Sequence, residues 1–569
     1  MRSVVTGRRC PSGIGPSRAR TGLAMAGLIT LLTACAALPT EGPVGDGERG
    51  PAAEAPVLQA LAAPPRPDAS AEEIVQGFLQ AMLAGGSDGF VVARSYLTEA
   101  AAAEWDPSAE VSLYRRGDVP TLNPIEGVDA YAFTYTQISV VDADGRFAAT
   151  EPIERSPVFG LEQVAAGWRI KEVPDGVVVP QDVFYNDYVP ALVYFPAADG
   201  QIMVPDVRHF LRRSAATATA QALLVGPPEY LVGAVSQPAP PGAKLATDVV
   251  RLQGGTATVN LGPEVRRASE TERASLTACL IASLTSLPGV VGVEFEIQGA
   301  PLPATPANLR KEPVAPEGVY FLGNGGLWRY DGRPVLLTGY EDTVNWASLT
   351  VDQSGFRVAG LEDGQLWHIA GAGQAAEAWE TPRPPSTKAA FDASGRLWVG
   401  AGTTVLSFGR NGGATEVEAE WLKGRRVVGL APARDGARLA VLSEATGGGA
   451  VRLDVAGIER ADGVPSRLNG PLEVARFEVV PEDFAWYDQT TVAVLAATET
   501  GPVTVHLAGL GSTTQPLTPP LDPATSLAAG RGSEALFITG EAGGLFEYNP
   551  RALRWASVAT GARAATYRG

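Results

Sequence analysis

Between residues 315 and 569 a short strand with a bulky apolar or aromatic residue recurs six times. The copies are Leu327-Trp328-Arg329-Tyr330, Leu366-Trp367-His368-Ile369, Val405-Leu406-Ser407-Phe408, Val451-Arg452-Leu453-Asp454-Val455, Val503-Thr504-Val505-His506-Leu507 and Leu545-Phe546-Glu547-Tyr548. Their first residues lie 39, 39, 46, 52 and 42 apart. Most follow a turn and another strand, as in Asp392-Ala393-Ser394-Gly395-Arg396-Leu397-Trp398-Val399. A period near ~40 with several short strands per unit is the signature of propeller blades. A blade hides its apolar faces only against its neighbours, so the set must close to be stable. The repeat predicts an all-β propeller of about six blades over 315–569, and the uneven spacings also allow five or seven. Two stacked β-sandwiches are the alternative, but sandwiches do not demand a recurring period.

At the other end, Leu23 to Cys35 reads LAMAGLITLLTAC, behind Arg2, Arg8, Arg9, Arg18 and Arg20 and no acidic residue. A basic start, an apolar run of roughly ten residues and a small residue at the cut mark a secretory signal peptide. Roughly 18 apolar residues are needed to span a bilayer, so the run is too short for a transmembrane helix. Leu32-Thr33-Ala34-Cys35 resembles a bacterial lipobox. That resemblance implies cleavage before Cys35 and lipidation of Cys35 as N-palmitoyl, S-diacylglycerol cysteine; a plain signal peptide is the alternative. Each buried methylene contributes ~0.8 kcal/mol of membrane affinity and one chain holds only marginally, whereas two or three anchor stably. Residues 1–34 are therefore read as signal peptide. Residues 35–67, rich in Pro, Gly, Ala and Glu, are read as a disordered tether without a core.

Composition narrows the partners. Removing residues 1–34 takes away five positive charges and moves the formal net charge from −17 to −22. Nucleic acid is disfavoured, since phosphate binding needs a basic surface. Of three cysteines, Cys10 leaves with the signal peptide and Cys35 is acylated, so Cys279 is the remaining thiol and no intrachain disulfide is expected. Cys279 lies on the apolar face of a predicted helix, where Cys acts as a small hydrophobe. The catalytic search finds no CxxC, HExxH, P-loop or GxSxG. Three histidines, His209, His368 and His506, are too few and too scattered for metal or acid–base chemistry in a propeller channel. Asp142-Ala143-Asp144-Gly145 lacks the spacing of a calcium loop and reads as a hairpin turn. No catalytic, metal or cofactor-binding residue is expected. Paired carboxylates for glycoside chemistry remain open, since no Asp or Glu stands out.

Two further domains are expected between the tether and the propeller. Residues 68–188 open with Ser70 followed by Glu72-Glu73, a helix-start signal. Ile74, Phe78, Leu79, Met82 and Leu83 then share one helical face. A second helix is predicted over Gly89 to Trp105, followed by alternating strands around Tyr131-Ala132-Phe133-Thr134-Tyr135 and Gly167-Trp168-Arg169-Ile170. The pattern is α+β and resembles the cone-like NTF2 group. Residues 189–303 read as a hairpin across Asp199-Gly200 and a helix stopped by Gly226-Pro227-Pro228. Strands follow over Ala246 to Leu252 and Thr256 to Leu261, then a helix from Thr271 to Leu287 and a strand from Val290 to Ile297. The Leu223-Leu224-Val225-Gly226-Pro227-Pro228 helix end, the 256–261 strand and the long helix are similar to the GerMN domain, an α/β interaction module.

Lipobox, tether, α+β domain, GerMN-like domain and propeller together resemble the LpqB lipoprotein family of actinobacteria. The telling residues are Leu224-Val225-Gly226-Pro227-Pro228, Gly167-Trp168-Arg169-Ile170 and Gly318-Val319-Tyr320-Phe321-Leu322. The resemblance implies a lipid-anchored protein on the extracytoplasmic face of the cell membrane, accessory to the MtrA–MtrB two-component system. It would bind the extracytoplasmic domain of the MtrB-like sensor histidine kinase. Only Cys35 carries over as a defined functional residue. The rival expectation is a cell-envelope glycan-binding protein or carboxylate-based hydrolase using the propeller channel.

Overall fold

The computed structural model describes residues 62–569 except 315–316, 498–500, 519, 521–522, 531 and 533–534. Cys35, the signal peptide and the tether up to residue 61 lie outside the described residues. No helix among the described residues is long and apolar enough to cross a membrane.

The first domain packs helix Ala71–Asp88 on a seven-stranded sheet. The helix starts where the sequence says. Ser70 Oγ accepts from the Glu73 amide at 3.3 Å, while Glu73 Oε2 accepts from the Ser70 amide at 2.8 Å, a reciprocal capping box. Gly89, at φ 75°, ends it in the left-handed conformation that glycine adopts without strain. Its buried face, including Ile74, Phe78 and Met82, meets Trp105, Phe159 and Ile170 in one core. The single helix expected over Gly89 to Trp105 is two, Val91–Ser95 and Glu99–Glu104. Leu97 leaves the helical path to bridge Ile170, and Thr98 Oγ1 then caps the second helix by accepting from the Ala101 amide at 3.2 Å.

The second domain combines the hairpin Tyr188–Pro196 and Met203–Leu211 with a four-stranded sheet and two helices, Ala215–Val225 and Glu270–Leu284. Strands Thr256–Leu261 and Gly292–Ile297 run parallel, joined by the long helix as a parallel pair requires. The strand expected over Ala246 to Leu252 shrinks to Arg251–Gln253. The Val250 amide is taken by Thr217 Oγ1 at 3.0 Å, which pulls the chain off the sheet before residue 251.

Among the described residues the C-terminal region forms six sheets of four strands, one carrying an added fifth. Every one of the six sequence repeats falls on the third strand of its sheet, from Gly326–Tyr330 to Gly544–Asn549. The widest spacing spans the added strand Leu472–Phe477, which pairs with Val451–Ala461. The innermost strands touch their neighbours in a closed ring. Closure is made by Arg563–Thr566, which pairs antiparallel with Val319–Gly323, so the first sheet is completed from the far end of the chain. The architecture is multidomain and mostly β, with an α+β domain, an α/β domain and a propeller.

Blade-to-blade seams use repeated turns. In Asp392-Ala393-Ser394-Gly395-Arg396, Asp392 Oδ1 accepts from the Ser394 hydroxyl and the Ser394 and Arg396 amides. Its Oδ2 accepts from Trp398 Nε1 at 2.9 Å and Arg460 at 3.0 Å. Asp352 organises the preceding turn in the same way through Ser354, Phe356 and Arg357. An Asp side chain that copies a backbone turn is the physical reason the motif recurs.

Candidate functional site

The propeller channel is the first place to look for chemistry. Its wall is built from the innermost strands and mixes alanines, Ala389, Ala390, Ala431, Ala485, Ala528 and Ala565 among them, with the aromatics Phe391 and Trp486 and the cations Lys388, Arg434 and Arg568. The space is only about 120 Å³. Among the described residues lining it, Asp483 is the one carboxylate. It is held by Lys388 Nζ at 2.9 Å and by the Leu527 amide at 2.8 Å. A glycosidase needs two carboxyl groups roughly 5–9.5 Å apart, and this wall supplies one, already neutralised.

The histidines are packed apart. His368 lies in strand Gln365–Ile369, stacked on Trp379 with ring centres 4.4 Å apart; His506 lies in Thr504–Gly509, edge-on to Phe477 at 6.1 Å. His209 sits between Phe147 and Phe184. Burial pulls His209 and His368 down to about 4, so both stay neutral at physiological pH. Cys279 is fully buried on its helix and burial pushes its thiol up to about 12, where it is inert. No group of three or more His, Cys, Asp or Glu among the described residues is placed to hold a metal ion.

The polar groups that the fold does bring together lie where the three domains meet. Asp206 and Arg208 alternate on one face of strand Met203–Leu211 and pair with each other in the interior, 2% and 3% exposed. Tyr230 Oη donates to Asp206 Oδ1 at 3.1 Å, and Arg208 Nη1 donates to the Asp144 carbonyl of the first domain at 2.6 Å. Burial raises the Asp206 carboxyl above the usual carboxylate range, against the pull of Arg208. One residue back, the Pro205 carbonyl accepts from propeller residue Arg438 at 3.4 Å. Arg438 is itself fully buried, pairs with Asp435 at 2.6 Å and donates to the Gln489 carbonyl at 2.7 Å. The backbone approach is equally close: a Cβ on Gly457 would collide with the Tyr230 carbonyl, and one on Gly511 would press on Val207. A single apolar core runs through the joint, from Val193, Phe195 and Leu223 to Leu453, Val494 and Leu510.

Two clefts flank this joint. One, about 350 Å³, lies between the Asp142–Arg146 turn and helix Ala215–Val225 and includes Val225, Gly226 and Pro227. The other, about 470 Å³, lies between Tyr194 and the propeller residues Arg434 and Trp486. The sequence singled out neither Asp206, Arg208, Tyr230 nor Arg438. The available signal was two charges spaced by two in an apolar strand, which reads equally well as a solvated face. The candidate lipidation residue Cys35 lies outside the described residues.

Comparison with known proteins places these parts. Residues 64–185 match the family described as lipoprotein LpqB, N-terminal domain, residues 192–303 that described as sporulation and spore germination, and residues 325–566 the lipoprotein LpqB beta-propeller domain. The two LpqB domain matches together span more than half of the chain. A protein named lipoprotein LpqB from Thermobifida fusca is 26% identical over 93% of this chain and 94% of its own length. One from Cutibacterium acnes is 31% identical over 48% of this chain, which spans 45% of that protein. One from Streptomyces avermitilis is 28% identical over 76% and 78%. Among solved structures, TolB from Acinetobacter baumannii superposes with a TM-score of 0.33 at 10% identity, over 45% of this chain and 67% of that one. With LpqB N-terminal, germination-type and LpqB propeller matches along one chain, and a relative named lipoprotein LpqB covered over 94% of its length, the chain belongs to the LpqB lipoprotein family.

Proposed function

We propose that this membrane-anchored lipoprotein is a non-catalytic regulator, held by lipid on Cys35 at the extracytoplasmic face. There it contacts the extracytoplasmic domain of an MtrB-like sensor histidine kinase and modulates its phosphorylation output. Cell division and envelope homeostasis lie downstream in this reading. The observation that carries it is the narrow channel with one carboxylate already paired to Lys388, set beside a joint where buried polar contacts tie three domains together. That is a build for contact rather than for turnover. To regulate, the protein must bind two kinase states unequally, because equal affinity shifts no equilibrium.

The test is kinase autophosphorylation in membranes with and without the purified protein. A changed rate with co-purification of the kinase is expected; an unchanged rate with no co-purification sinks the proposal. Cys35→Ala should release the protein from the membrane fraction and abolish regulation in cells. Mass spectrometry of the mature amino terminus should show the acylated cysteine.

A further inference from the structure

The cleft of about 470 Å³ at the propeller mouth falls in the size range of small-molecule sites, which favour domain boundaries. One wall comes from the second domain through Leu192 and Tyr194, with Glu312 to Val314 of the connecting segment beside it. The other comes from propeller loops through Arg434, Trp486, Asp488 and Gly530. Arg434 also borders the channel and a third cavity next to Val314, so this one residue lines three spaces.

Arg434 lacks the Asp partner that three other arginines of the ring have; Arg357, held by the Gly395 carbonyl over the Phe391 ring, is the nearest parallel. Arg438, Arg452 and Arg460 each have an Asp at 2.6 to 3.0 Å. Among the described residues Arg434 has no carboxylate partner. It donates to the Gly530 and Ala529 carbonyls and lies over the Tyr567 ring, 5.7 Å from its centre. A Cβ at Gly530 would run into that guanidinium, so glycine there makes the berth. Burial with this little charge compensation pulls Arg434 down to about 10. A half-buried cation held by two carbonyls and a ring face gains from an arriving anion, and guanidinium matches a carboxylate with two parallel hydrogen bonds. The rim has the opposite sign: Glu312 and Asp488 are exposed at the cleft. They repel a second negative charge and attract hydroxyl or amine donors.

We propose that this cleft binds a small organic carboxylate bearing hydroxyl or amine donors, with its anionic group on Arg434 and its donors toward Glu312 and Asp488. The inference does not depend on the kinase reading. Its test is calorimetric titration of the full-length, detergent-solubilised protein with glucuronate, with glycyl-glycine, and with glucose as the uncharged control. At least one of the two carboxylates should bind one to one, and glucose at least tenfold more weakly. Glu312→Gln should weaken glycyl-glycine more than glucuronate, which separates an amine-bearing ligand from a sugar acid. Arg434→Gln should cost tenfold or more, with Arg434→Lys in between. Val314→Trp, at an exposed residue of the same wall, should fill the cleft and abolish binding while leaving the fold intact. Binding of neither carboxylate, equal binding of glucose, or unchanged affinity in both Arg434→Gln and Val314→Trp would overturn it.

Discussion

Two pairs of blades in the propeller are held by different means. Sheets from Arg425 to Gly509 share one apolar core with the second domain, Phe484 and Leu453 being continuous with Phe195 and Leu223. The sheets between Thr350 and Val417 bury Leu366, Leu397 and Phe408 only among themselves and their ring neighbours. One pair is propped by a foreign domain, while the other relies on contacts around the ring, such as the bridge from Val351 to Arg568, and on Asp-centred turns. A propeller is usually thought of as a detachable module. Here the second domain supplies part of its inside.

The largest break in that comparison is expected from Asp206→Ala. It strands Arg208 in the interior and removes the acceptor of Tyr230. Leaving one member of a buried ion pair costs about 3–5 kcal/mol. Guanidinium unfolding should show that loss, and hydrogen exchange should show the second domain and the Arg425–Gly509 sheets opening together. If the propeller keeps full protection while the second domain opens alone, the shared core is not a mechanical unit.

Acid should act on the joint and on the self-supported sheets through different histidines. For His209 the folded value near 4 lies below the ordinary 6.5, so the unfolded chain takes the proton first. Stability is therefore complete above about pH 6.5 and falls as pH drops toward 4, by about 3 kcal/mol for a shift of this size. His368 shifts in the same direction for the same reason, burial, with Arg357 adding to it. His209→Phe should flatten the pH 7-to-4.5 decline at the joint, and His368→Phe should flatten it in the self-supported sheets. Hydrogen exchange at the two pH values reads each region separately.

Asp392→Asn tests the self-supported sheets more gently. It keeps an acceptor for the turn but removes the charge facing Arg460, in a site 1% exposed. About 1–3 kcal/mol is expected for a buried hydrogen-bonded group left mismatched. Protection should be lost in the Thr350–Val417 sheets first, with the joint keeping its own.

How much of this could be read from the chain depends on the range of the interactions. The propeller was legible because each blade repeats a local pattern, and all six repeats landed on equivalent strands. The start of helix Ala71–Asp88 was legible for the same reason, since Ser70 and Glu73 are three residues apart. The break at Tyr96-Leu97 was not, because its cause is Ile170, far along the chain. Ring closure by Arg563–Thr566 was equally hidden: nothing in those four residues names Val319–Gly323 as their partner. The joint was the least legible part. Asp206 and Arg208 look like a solvent-facing pair until Tyr230, Asp144 and Arg438 arrive from three other segments.

The smallest effect should come from the one ion pair among the described residues that ties the first domain directly to the propeller. Arg476 reaches Glu151 at 3.1 Å across the surface, with the two side chains 48% and 76% exposed. Exposed pairs contribute about 0–1 kcal/mol and are screened by salt. Arg476 also has a nearer partner, Glu473 at 2.6 Å on its own strand, so it loses little when Glu151 is gone. Glu151→Gln should therefore shift the unfolding midpoint barely at low salt and not at all at 0.5 M. If it instead loosened the first domain at both salt concentrations, as read by protection of strand Phe147–Arg155, the buried joint would not be what holds that domain in place. The hydrogen bond from Arg208 to the Asp144 carbonyl would then carry less than its burial implies.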